Sequence, residues 1–245
     1  MKPDDAITVL IPTSPIASHP STAIIDQTIA SIRYWLPEAQ VILMCDGVRA
    51  EQVEYWERYQ EYLKNLSEKL NKGIYRHVGF YRFYQHEHQV GMTRSTLPVV
   101  CTPLLMFVEH DTGLVVDRNI DWQGIVDVLL SGDAECIRFH YESRITPWNL
   151  YLFEEQFESH GVPLWKTRQF CARPHVATVE FYKRALAVFS PEANSMIEDR
   201  LITFVQHQPW ENWKVCVYNP PDSMHRSLHL DGRGTDPKFE NEMVF

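Results

Sequence analysis

Long apolar runs are missing from this 245-residue chain. No stretch approaches the roughly twenty residues that a membrane-spanning helix needs. Positive charge is also in deficit, with 23 Lys and Arg against 32 Asp and Glu and a net charge of −9. That balance argues against a general nucleic-acid binder, whose footprint is basic, and disfavours adhesion to anionic lipid. Cysteine is sparse: Cys45, Cys101, Cys136, Cys171 and Cys216 stand singly, with no C-x-x-C pair. An odd count without framework spacing points to reduced thiols. The amino end, Met1-Lys2-Pro3-Asp4-Asp5, carries no basic segment followed by an apolar one. Together these features lead us to expect a soluble, cytoplasmic protein. Glycine-rich phosphate loops are absent as well, since neither G-x-G-x-x-G nor G-x-x-x-x-G-K-[ST] occurs, which disfavours a dinucleotide fold and a P-loop.

What remains is an ordinary globular composition, 44% hydrophobic and 22% charged, without repeats, low-complexity tracts or an obvious linker. A single domain over 1–245 is expected. Ile7-Thr8-Val9-Leu10-Ile11 reads as a strand closed by Pro12-Thr13-Ser14-Pro15. Ser21-Thr22 offers a helix N-cap, and Ile24, Ile25, Thr28, Ile29, Ile32 and Trp35 follow at helical spacing. Val41–Cys45 is a second buried strand, so the opening forty-odd residues form a βαβ unit and imply a parallel sheet. Residues 50–72 form an amphipathic helix, a short strand crosses 81–86, and 91–102 is a loop entering a short helix with Pro98 near its first turn. Further helices are expected over 122–130, 179–189 and 195–205, and further strands over 135–141 and 213–218. Between 147 and 174, aromatic and basic residues lack periodicity, which suits loops that shape a cleft.

The central stretch is Leu104-Leu105-Met106-Phe107-Val108-Glu109-His110-Asp111. Its apolar run reads as a strand buried on both faces. On an extended chain residues two apart point the same way, so Glu109 and Asp111 are expected to face one spot beyond the carboxyl end of the strand. Open α/β sheets bind ligands there, and hard oxygen donors suit Mg²⁺ or Mn²⁺ carrying a phosphorylated substrate. Without a glycine-rich loop, a nucleotide would have to be held by backbone amides and Thr13. Asp46, ending the second strand, stands where a carboxylate accepts from a base N–H or a ribose hydroxyl; its other reading is the first position of an Asp-Gly turn. His86 and His88 read as structural, and Trp148 and Trp165 either stack on a sugar or fill the core.

In order, the chain carries Ile11-Pro12-Thr13, Cys45-Asp46-Gly47, Gln89-Val90-Gly91-Met92-Thr93-Arg94-Ser95, Glu109-His110-Asp111 and Ile197-Glu198-Asp199-Arg200-Leu201. This layout, over residues 7 to 205, resembles the GT-A nucleotide-sugar-dependent glycosyltransferases, above all the inverting family 2. The resemblance implies a Rossmann-like, mostly parallel α/β sheet flanked by helices. Its nucleotide-binding half would be about 1–115, and about 116–245 would bind the acceptor and carry a tail or lid. It implies a glycosyltransferase of the hexosyl-transferring kind. The donor would be a UDP- or GDP-linked sugar, and the acceptor a glycan or lipid-linked sugar. Pro12, Thr13, Asp46, Gly91, Arg94, Glu109 and Arg233 would contact the donor, with Arg94 on the pyrophosphate or bracing its loop. Asp111 and His229 would hold Mn²⁺ or Mg²⁺, and Asp199, with Glu198 as second choice, would be the general base. Gln89, Thr93-Arg94-Ser95 and Glu109 depart from the family's Asn, Ala-Arg-Asn and Asp. Two other readings share the scaffold: a retaining transferase or nucleotidylyltransferase, and a non-catalytic carbohydrate-binding protein.

Overall fold

The computed structural model describes residues 1–140, 150–231 and 238–239, the last two and residue 231 as backbone only. The elements in order are α1 (Pro3–Ala6), β1 (Ile7–Thr13), α2 (Ala23–Trp35), β2 (Val41–Cys45), α3 (Trp56–Asn71) and β3 (Val78–Arg82). They are followed by α4 (His88–Thr96), β4 (Leu104–Phe107), α5 (Trp122–Ser131), β5 (Cys136–Arg138), β6 (Phe153–Ser159) and β7 (Val162–Thr167). The chain closes with β8 (His175–Thr178), α6 (Val179–Ala187), α7 (Glu198–Gln206), β9 (Val215–Tyr218), β10 (Leu230–Asp231) and β11 (Lys238–Phe239).

A nine-stranded sheet in the order β3-β2-β1-β4-β8-β5-β9-β7-β6 runs through the centre. Side chains alternate across it, as the pleat requires. Val9, Ile11, Leu43 and Met106 pack with Ile25 and Ile29 of α2, Leu63 and Leu66 of α3, and Ile125 of α5. Leu10, Ile42, Met44, Leu105 and Phe107 face the other way, onto Val90 of α4, Phe181 and Tyr182 of α6, and Leu201 of α7. Both faces are therefore covered, which is why the strands read as unbroken apolar runs.

β3, β2, β1 and β4 are parallel, as the βαβ reading expects. The second half is mixed, with β8 inserted antiparallel between β4 and β5 and the β6–β7 hairpin antiparallel to β9. Three strand regions lie outside the expected elements: the β6–β7 hairpin, β8, and the short antiparallel pair β10–β11 in the tail. The hairpin lies inside the non-periodic stretch 147–174, and its one sequence signal is the two-residue turn His160-Gly161, both at positive φ. β8 is only four residues long and runs straight into α6. Other boundaries shift. β1 continues through Pro12 because the side of β1 that its missing N–H faces lies beyond the end of β4. The strand expected over 81–86 sits at 78–82, and α4 begins before Gly91, so Pro98 falls in the turn that ends it. The helix expected from residue 50 opens as a 3₁₀ segment over 50–55.

Two buried histidines tie stability to pH. His19 stacks on Tyr62 with ring centroids 3.8 Å apart, and burial above all, then the charges of His110 and Arg58, pushes its pKa down to about 3. His175 is fully buried. Nδ1 lies 2.7 Å from the Arg173 carbonyl and Nε2 2.7 Å from the Tyr182 hydroxyl; burial lowers its pKa to about 4 against the opposing carbonyl bond. Below pH 6.5 the unfolded chain takes up these protons while the folded chain does not, so stability falls as pH falls. His175→Gln removes one of the titrations. Its stability deficit relative to wild type, measured by urea denaturation, should shrink by up to about 1.4 kcal/mol per pH unit between pH 6.5 and 4.5. A constant deficit contradicts this account.

Candidate functional site

β4 stops at Phe107, and 109–112 is a turn closed by the Thr112 N–H and hydroxyl on the Glu109 carbonyl, at 3.0 and 3.1 Å. The alternation argument for Glu109 and Asp111 therefore does not apply: a turn, not a strand, presents the two acids. α2 anchors that turn from behind. The Thr28 hydroxyl donates to the His110 carbonyl at 2.8 Å, and the Leu114 N–H donates to the Ser31 hydroxyl at 3.0 Å. In front, the carboxyl-terminal segment lies antiparallel to it. Val115 N–H donates to the Arg226 carbonyl, and Leu228 and Leu230 N–H donate to the Gly113 and Asp111 carbonyls. That register brings His229 Nε2 to 3.6 Å from Asp111 Oδ2.

The electrostatics separate the two acids. Burial raises the Asp111 pKa, but His110 and then the bond and charge of His229 outweigh it and leave the group below its ordinary value. Glu109 moves the other way, to about 7, through burial first and then the charges of Asp111 and Glu198; Arg173 and the bond from Gln89 oppose the rise. Glu198 is half-buried and accepts from the Ala172 N–H. Asp199 is exposed at the start of α7, and its Oδ2 accepts from the Met196 N–H at 3.0 Å. Glu198 thus braces the 170–173 loop, while Asp199 faces solvent. Arg173 and Ala172 belong here because β8 is antiparallel: the Phe107–His175 pairing places the residues before His175 beside the end of β4. Sequence reading had no signal for that placement.

Asp46 is a buried keystone, 2% exposed. Its carboxylate accepts from the N–H groups of Gly47 at 2.8 Å, Glu87 at 2.7 Å and His88 at 3.1 Å, and His86 Nδ1 lies 2.8 Å away. An acid on the first amides of α4 suits the helix dipole. Of its two sequence readings, the turn-forming one describes what its oxygens do here, and they are spent on the loop and not presented to a base. Gly47 is required beside it, because a Cβ there would stand 2.3 Å from the Gln85 carbonyl carbon and 2.6 Å from the His86 nitrogen. Gly47→Ala should lower stability by roughly 2–3 kcal/mol through the backbone shift it forces, read as a drop in the urea midpoint. An unchanged midpoint contradicts the close approach.

The other expected donor contacts divide. Pro12 and Thr13 are buried in β1, and the Thr13 hydroxyl meets the Tyr62 hydroxyl at 3.3 Å. Gly91 lies in the first turn of α4, not in a loop. Arg94 takes the bracing role: its guanidinium donates to the carbonyls of Pro191 at 2.6 Å, Ser190 at 3.0 Å and Leu186 at 3.4 Å. Trp165 packs on Phe153. Arg233 and Trp148 lie outside the described residues.

Among the described residues no group of three His, Cys, Asp or Glu is arranged around one metal. Asp111 nonetheless offers one hard carboxylate, and a Mg²⁺-like cation commonly takes one or two carboxylates and fills its remaining positions with water and substrate phosphate oxygens, with the softer imidazole of His229 beside it. Among the described residues no helix is long and apolar enough to cross a membrane.

No family model matches the chain, and no curated protein matches it. Solved structures do. TarS of S. aureus, residues 1–349, superposes with TM-score 0.53 at 12% identity over 90% of this chain and 59% of that one. GalNAc-T7 with UDP, GalNAc and Mn²⁺ gives 0.54 at 12% over 94% and 44%. UDP-glucose pyrophosphorylase complexed with UDP-glucose gives 0.51 at 9%, over 94% of each chain. The chain thus spans less than two thirds of TarS 1–349 and of GalNAc-T7. The likeness establishes the fold: a GT-A-like mixed α/β domain with helices on both faces of a large central sheet.

Proposed function

We propose that this protein is a metal-dependent glycosyltransferase that moves a sugar from a nucleoside-diphosphate sugar to a hydroxyl acceptor with inversion. The observation that carries the reading is the Asp111–His229 pair, held at 3.6 Å at the carboxyl end of β4 where open α/β sheets bind ligands. Mg²⁺ or Mn²⁺ bound there supplies Lewis-acid neutralisation of the charge that develops on the leaving diphosphate. Asp111, whose pKa lies below its ordinary value, offers a carboxylate at neutral pH, and His229 would join it on the cation as a neutral imidazole. Asp199 is the general base: exposed and acidic, it takes the acceptor hydroxyl proton as that oxygen bonds to the anomeric carbon and the diphosphate oxygen departs from the opposite face. Glu198 fixes the 170–173 loop, and through it Arg173, against the site.

The match to a pyrophosphorylase along nearly the whole of both chains favours a second reading, nucleotidyl transfer on the same scaffold. The Pro12-Thr13-Ser14-Pro15 loop lacks the glycine-rich character which that chemistry normally uses. Incubation with UDP- and GDP-sugars, Mn²⁺ and a panel of hydroxyl acceptors separates the two. Transfer or donor hydrolysis releasing nucleoside diphosphate supports the proposal, and pyrophosphate-dependent formation of UTP or GTP supports the alternative.

A further inference from the structure

Gln89 sits in the first turn of α4 and is 7% exposed. Its amide makes two bonds of opposite polarity. Nε2 donates to Glu109 Oε1 at 2.7 Å, and Oε1 accepts from the Ile197 N–H at 3.3 Å. A backbone N–H only donates, so Ile197 must face the amide oxygen, and that orientation of the carboxamide leaves its NH₂ for Glu109. The two partners belong to different parts of the site. Glu109 opens the turn that carries Asp111, and Ile197 is the residue from which α7 starts, two before Asp199. The same α7-leading segment is pinned to α4 and its approach by the Val90 N–H on the Ser195 carbonyl at 3.2 Å, by Asn194 on the His86 carbonyl, and by Arg94 on Ser190 and Pro191. α4 therefore spans the interval between the two halves of the site, and Gln89 reaches both ends of it.

We propose that Gln89 is a positioning residue that sets the distance between the base-bearing start of α7 and the cation-bearing turn after β4. This rests on the transferase reading for its catalytic consequence, though the mechanical tie can be measured without it. A misplacement near 1 Å between base and leaving group is enough to cost about a hundredfold in rate.

Two variants of similar size test the proposal. Gln89→Met removes both bonds while filling the volume, and Gln89→Glu keeps the acceptor for Ile197 but replaces the Nε2 donor to Glu109 with an acidic oxygen. Gln89→Met should lower kcat about thirty- to a hundredfold with the donor KM within about threefold, because ground-state binding is untouched. Amide hydrogen exchange at Ile197 should be at least about tenfold faster in Gln89→Met and within about threefold of wild type in Gln89→Glu. Gln89→Glu should still lose at least about tenfold in kcat. A Gln89→Met enzyme with kcat within about threefold of wild type, or with Ile197 exchange unchanged, overturns the proposal. If Gln89→Met does not fold, wild-type kcat in Gln89→Glu overturns it. Should the wild-type protein transfer no sugar, the functional reading fails, and the exchange measurement still decides whether Gln89 holds the two parts together.

Discussion

Asp199→Asn is expected to lower turnover for sugar transfer by about 10²–10⁴, with donor binding unchanged within about twofold. The amide keeps the shape and can still accept from the Met196 N–H, so the start of α7 is preserved; what is lost is the capacity to take a proton. Because the side chain is exposed, the melting temperature should hardly move. Glu198→Gln should behave differently. Its carboxylate is committed to the Ala172 N–H and stands in the field of Glu109, so the variant should lose far less in turnover. Equal losses in the two variants would show that the roles are not divided as the geometry divides them. Initial rates and isothermal calorimetry on both proteins settle the matter.

The largest effect on stability is expected at Asp46. Asp46→Ala strands the N–H groups of Gly47, Glu87 and His88 and removes the partner of His86 in a buried corner. Leaving that many donors unmet should cost roughly 3–5 kcal/mol, a large part of the stability of a typical domain. Asp46→Asn keeps an acceptor for part of this set and should cost distinctly less. The loss is also functional, because the α4 amino terminus it holds is the one that carries Gln89. Urea denaturation read by both tryptophan fluorescence and circular dichroism gives the numbers. A loss below about 1 kcal/mol in Asp46→Ala would mean that water replaces the carboxylate freely.

The parts of the fold that were legible in the sequence are those whose pattern is local. β1, α2 and β2 read off as a βαβ unit because two apolar runs bracket a 3.6-residue periodicity. β8 and the β6–β7 hairpin were not legible, because a four-residue strand and a half-exposed ribbon carry little periodicity. The site divides along the same line. Asp111 and His229 are 118 positions apart in the chain (229 − 111), and the antiparallel seam between 111–115 and 226–230 brings them together. Family-like order suggested His229, and residue chemistry alone left it one histidine among eleven. Arg94, Thr13 and Asp46 show the reverse. Their types suit phosphate, hydroxyl or base contacts, but tertiary neighbours claim them: carbonyls after α6, a tyrosine on α3, and the amides before α4. Gln89 drew attention in sequence only as a departure from a motif, and only the folded chain reveals that a carboxamide is what Glu109 and Ile197 jointly require.

The account stands on the carboxylate of Asp111 gripping a nucleoside diphosphate through a divalent cation. Titration of UDP and GDP into the protein by calorimetry, with Mn²⁺ and with EDTA, tests it directly. The expected result is that one of the two binds with Mn²⁺ at least about tenfold tighter than without it, and that Asp111→Ala abolishes this enhancement while leaving the fold intact. Metal-independent binding, or an Asp111→Ala protein that retains the full Mn²⁺ enhancement, would contradict it.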